Sequence, residues 1–125
     1  VPSPPAPDAL LRFRFGRLDH EKWALCKIER KHHKRLLERL AHFEKMTVGQ
    51  AKAANLLADY EMAECPNKSA RKRLNNQYDG QDSISRLAIA PSEDLRLMGI
   101  REGNEFHIVW WDPNHDVWPE GKNVR

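Results

Sequence analysis

The stretch from Glu93 to Asp112, EDLRLMGIREGNEFHIVWWD, most constrains what this chain can fold into. Two apolar runs flank Gly103-Asn104, a pair suited to a two-residue β-hairpin turn. A turn that short fixes the register of both strands, here 93–102 and 105–112. Glu102 then faces Glu105, Ile100 faces His107, Met98 faces Val109, and Arg96 faces Trp111. These residues share one sheet face, while Leu97, Gly99 and Arg101 share the other with Phe106, Ile108 and Trp110. The first face carries Arg96 and His107 and is expected to be the more open one.

The rest of the chain supplies partners for this hairpin. Residues 83–90, SISRLAIA, alternate loosely and read as a third strand. Leu11, Phe13 and Phe15 alternate with Arg12 and Arg14, which predicts a half-buried strand over about 10–18. Asp19 is placed to cap a helix, with Glu21 in its first turn. Leu25, Ile28, Leu36, Leu40 and Phe43 recur at helical steps and extend that helix over about 20–45. His32 fills the gap in this stripe and reads as a partly buried structural histidine; His33 lies off it.

Thr47 and Gln50 match a capping box, so a second helix starts there and runs to about residue 58. The two helices form an antiparallel hairpin. Pro66, paired asparagines and Gly80 interrupt the connection over 60–82, with room for a short helix around 68–74. The expected fold is α+β in the order strand–helix–helix–strand–strand–strand. A small, mostly antiparallel sheet is backed on one face by the helical hairpin.

A chain of 125 residues fits one domain. Residues 1–9 are a Pro-rich extension, 10–119 the domain, and 120–125 a tail. No apolar run reaches the roughly 20 residues of a membrane-spanning helix, and no signal-peptide pattern is present. A cytoplasmic protein without membrane contact is the expectation. Cys26 and Cys65 match no metal or redox spacing and read as reduced thiols.

Net charge is only +3, but the cations are grouped. Lys27 to Lys45 holds seven Lys/Arg against three Glu, and Lys68, Arg71, Lys72 and Arg73 follow without an acid. Such a distribution fits either a polyanion-facing surface or a solvated helix face.

Asp112-Pro113-Asn114-His115 turns the chain off the last strand and presents His115. Either Asp112 and Asp116 cap that turn around a solvated histidine, or His115 works as an acid or base. A metal site from Asp112, His115 and Asp116 would need His42 or His107 to converge; no metal or cofactor is expected. One of Trp110 and Trp111 is expected in the core, leaving the other to stack on a base or close an interface. Arg86 and Arg96 sit mid-strand, where a guanidinium reaches solvent, pairs with an acid, or binds phosphate. Convergence of Arg86, Arg96 and His115 would make a metal-independent phosphodiester-cleaving site. His115 would transfer the proton, and the arginines would stabilise charge on the phosphorane.

In element order across about 10–118, and above all in LRLMGIREGNEFHIVWWDPNHDVWP, the chain resembles the RelE/ParE toxin superfamily. It is similar in particular to small bacterial and phage-borne proteins ending in W-x-D-P-x-H-x-x-x-P. The resemblance implies a toxin of a toxin–antitoxin system, an endoribonuclease cutting mRNA on the ribosome and neutralised by a cognate antitoxin. It places Arg96 at the family's central-strand arginine, Arg86 at a preceding basic position, His115 at the catalytic position, and Trp118 near a terminal aromatic that here can only stack. Lys31, Lys34, Arg35, Arg71, Lys72, Arg73, Trp111 and Trp118 are the expected RNA contacts. The alternative is a non-catalytic binding module on the same fold, an inhibitor of a protein target or an immunity or regulatory partner.

Overall fold

The computed structural model describes residues 9–65, 67–78, 83–90, 95–113 and 117. Among these residues the fold is α+β, with a five-stranded mixed sheet and three α-helices in the order β1 (Arg12–Arg14), α1 (His33–Phe43), α2 (Val48–Ala53), β2 (Leu57–Glu61), α3 (Lys68–Gln77), β3 (Ser83–Ala90), β4 (Leu95–Glu102), β5 (Glu105–Trp111). The strands lie side by side as β1-β5-β4-β3-β2. β1 runs parallel to β5, and the other neighbours are antiparallel.

The capping box at Thr47 forms as expected. The Thr47 hydroxyl accepts from the Gln50 amide, and the Gln50 side chain accepts from the Thr47 amide. The helix it starts stops at Ala53, five residues short of the expected end. Asn55 takes a left-handed φ of 60°, while the Asn55 and Leu56 amides donate back to the Lys52 and Ala51 carbonyls. That pair of bonds is a Schellman closure, and asparagine accepts the conformation more readily than most residues. The freed segment Leu57–Glu61 becomes β2, a strand missing from the expected order.

The helix expected over about 20–45 is likewise shortened. Right-handed winding is interrupted by Trp23 at φ 48° and by extended backbone at Ala24, Ile28 and Glu29. Only two 3-10 turns, Leu25–Lys27 and Arg30–His32, precede α1. Asp19 does accept from the Glu21 and Lys22 amides, but it closes a turn rather than an α-helix. The first strand is also shorter than 10–18, with only three residues pairing along β5.

The helices cover both sheet faces, not one. Leu36, Leu40 and Phe43 of α1 and Val48 and Ala51 of α2 pack on Leu57, Leu87, Leu97, Phe106 and Ile108. On the opposite face, Ala70 and Leu74 of α3 pack on Ile84, Met98, Ile100 and Val109. The sheet therefore forms a middle layer with apolar side chains on both sides, and neither face is open in the sense expected.

The hairpin register holds from the turn to Gly99↔Ile108 and then shifts. Gly103 sits at φ 65°, a conformation glycine enters without a Cβ clash. Glu102 pairs with Glu105, Ile100 with His107 and Gly99 with Ile108, but Met98 pairs with Trp110 instead of Val109. Val109 is the extra residue of a β-bulge, and from there on the side chains change faces. Trp110 consequently joins Met98, Ile100 and Val109, whereas Trp111 joins Leu97, Phe106 and Ile108. This reverses the faces expected for the two tryptophans. The bulged stretch is tied down by the 19–23 segment: Asp19 N donates to Val109 O, and Trp111 N donates to Trp23 O.

Candidate functional site

Arg96 does not line a cleft. It is 2 % exposed, and its Nη2 donates to Asp112 Oδ2 at 3.2 Å. Asp112, 0 % exposed, also accepts from the Val117 amide. Asp112 is thus held by groups on both sides, the Arg96 guanidinium and the Val117 amide. Arg86 lies on the same sheet face as Arg96, across from Met98, while Ala88 stands across from Arg96. It is partly buried, and its Nη2 donates to the Asn55 carbonyl at 2.8 Å. The two arginines share a face but hold different loops. His115 and Trp118 lie outside the described residues.

Trp111 is corrected as well. At 5 % exposure, packed near His32 with ring centroids 6.0 Å apart, it has no face available for a base. Trp110 is fully buried, edge-on to Trp23, and its indole N–H donates to Asp19 Oδ2 at 2.9 Å.

The expected cationic contacts separate into two groups. Arg73 is a structural residue. Its guanidinium donates to both carboxylate oxygens of buried Asp19 and to Glu21 Oε1. The Asp19 hydrogen bond is the main reason its pKa rises. Burial alone would raise the Asp19 carboxyl, but hydrogen bonds from Arg73, the Trp110 indole and the Glu21 and Lys22 amides outweigh it and hold it far below the usual range. Arg71 and Lys72 are exposed on α3.

Around the start of α1, Lys27, Arg30, Lys31, Lys34 and Arg35 are all exposed. The Lys31 and Lys34 side chains are 70 % and 87 % exposed, and they meet Glu29 and Glu38 only at 3.8 and 3.9 Å. Arg39 is set apart from them, donating to the Ile89 carbonyl and lying over the Phe43 ring. Since α1 and α3 pack on opposite sheet faces, the two basic clusters do not merge. The α1 cluster is the larger, and it is the candidate polyanion interface.

Two further polar groupings were not anticipated as units. Asp59 gathers Lys52, Arg101 and the Ser85 hydroxyl. Burial works against its charge, and the hydrogen bonds from Arg101, Ser85 and Lys52 reverse that and lower its pKa strongly. At the tip of the β4–β5 hairpin, Glu102, Glu105 and His107 converge. Their positions were readable from the turn register, which already set Glu102 against Glu105 with His107 two residues on.

Compared with family models, curated proteins and solved structures, the chain gives no match. Among the described residues, no helix is long and apolar enough to cross a membrane.

Proposed function

We propose that this chain is a binding module that contacts RNA through the basic surface at the start of α1, in the setting of a RelE/ParE-like toxin held in check by an antitoxin. The observation that carries this reading is the run of five exposed cations, Lys27, Arg30, Lys31, Lys34 and Arg35, in which Lys31 and Lys34 meet Glu29 and Glu38 only at 3.8 and 3.9 Å. Cations in this state keep their charge available for phosphate and release counterions when they bind it. The toxin setting rests on the closing sequence LRLMGIREGNEFHIVWWDPNHDVWP and on α1 and α2 packing against the same sheet face.

Binding is favoured over cleavage for a physical reason. The nuclease form needs Arg86, Arg96 and His115 around one phosphate. Arg96 is buried against Asp112 and Arg86 is engaged with Asn55, so neither guanidinium stands ready to meet a phosphorane. Induced expression in a bacterial host, with growth and mRNA 5′ ends followed together, tests the choice. The expected result is RNA association and slowed growth without new 5′ ends. New 5′ ends that vanish in His115→Ala would restore the endoribonuclease form.

A further inference from the structure

We propose that Glu102, Glu105 and His107 form a site for a divalent transition-metal ion, with Zn2+ the best fit. The three side chains project from the tip of the β4–β5 hairpin, where Glu102 pairs with Glu105 and His107 follows two residues later on the same face. Their ligand atoms all lie within 4.8 Å of one another. His107 Nε2 is 3.2 Å from Glu102 Oε1 and 3.7 Å from Glu105 Oε1. Donors about 2.0–2.2 Å from a tetrahedral Zn2+ stand about 3.3–3.6 Å apart, so the present spacing needs only small rotamer adjustments.

The second oxygens of the carboxylates are already held. Arg14 donates to Glu105 Oε2 at 2.8 Å, and Arg17 approaches Glu102 Oε2 at 3.4 Å. Each arginine occupies Oε2 and leaves Oε1 turned toward the histidine. Carboxylate ligands in metal sites are commonly oriented by such outer partners, so the arginines need not leave for an ion to enter. His107 Nε2 is shielded from solvent and makes no hydrogen bond among the described residues. A nitrogen held between two carboxylate oxygens calls for a cation there. Glu102 is 53 % exposed, which gives an ion a route in and leaves a coordination position for water or a ligand.

One imidazole with two carboxylates selects a borderline ion over Mg2+, and zinc binds such a set more strongly than manganese. The experiment is titration of the tag-free full chain with ZnCl2, and separately with MgCl2, followed by calorimetry. One equivalent of Zn2+ is expected to bind, with affinity falling at least tenfold in Glu102→Gln and His107→Gln and staying unchanged in His42→Ala. Because Glu102 is exposed, its variant keeps the fold. In the wild type, Co2+ should broaden the amide resonances of residues 102–107 first. Absence of binding, equal binding by the Glu102→Gln variant, or broadening centred elsewhere overturns the proposal.

Discussion

Arg96 and Asp112, sixteen positions apart, form an ion pair in which both side chains are buried, at 2 % and 0 % exposure. Asp112 also fixes the turn beyond β5 through the Val117 amide. Removing one member leaves the other charged and buried, which typically costs about 3–5 kcal/mol. Asp112→Ala should therefore lower stability by roughly that amount in urea unfolding. Replacing both residues by apolar side chains of similar volume should cost much less than Asp112→Ala alone. Equal losses in the two variants would mean that the pair is not what holds this end of the sheet.

Asp19 joins three parts of the molecule: its own turn, Arg73 on α3 and Trp110 on β5. Asp59 does the same for α2, β3 and β4 through Lys52, Ser85 and Arg101. Both carboxyls are held well below their unfolded value of about 4. A depressed carboxylate contributes stability that is fully present above the unfolded pKa and is lost as pH falls toward the folded one. Unfolding free energy should be flat near neutrality and fall steadily below about pH 4. Asp19→Asn should flatten part of that acid slope. An unchanged slope in Asp19→Asn and Asp59→Asn alike would contradict this assignment.

Gly99 is the close-approach point beside the bulge. A Cβ placed there would overlap the His107 carbonyl oxygen and crowd the Phe106 ring. Backbone cannot yield as a flexible side-chain end can, so Gly99→Ala should destabilise by at least about 1–3 kcal/mol, the usual cost of overpacking. Thermal unfolding checks it. A melting temperature equal to wild type would show that β4 and β5 separate more easily than their packing indicates.

Some of the fold could be read directly because its causes are local. The Thr47/Gln50 cap, the Gly103-Asn104 turn and the helix starting near Lys68 each depend on residues a few positions apart. The misread features depend on distant groups. Residues 20–32 have a helical stripe, yet Asp19 is claimed by Arg73 and Trp110, and Trp23 turns left-handed against β5. β2 was hidden because Leu56 and Leu57 continue the spacing of α2, and only Asn55 marks the stop. The bulge at Val109 left no comparable sign, since Val109, Trp110 and Trp111 suit either face.

The same division holds for the sites. The expected register set Arg96 opposite Trp111, but the bulge at Val109 puts Leu97 there and brings Asp112 alongside Arg96, so the buried pair was hidden by the same irregularity. The Arg73–Asp19 pair spans 54 positions and needed the topology to be visible. The exposure of Lys34 and Arg35 followed from their places off the apolar stripe of α1, and Lys31 lies in the 3-10 turn just before it.

The most direct test of the RNA-binding account is the salt dependence of binding to a fluorescent single-stranded RNA, measured by anisotropy. It compares wild type with the Lys31→Glu/Lys34→Glu/Arg35→Glu variant. Five phosphate contacts correspond to a loss of about a hundredfold in affinity between roughly 50 and 200 mM salt. The account predicts that dependence for wild type, with weaker binding and a shallower slope for the variant. Equal affinity and equal slope in the two proteins would contradict it.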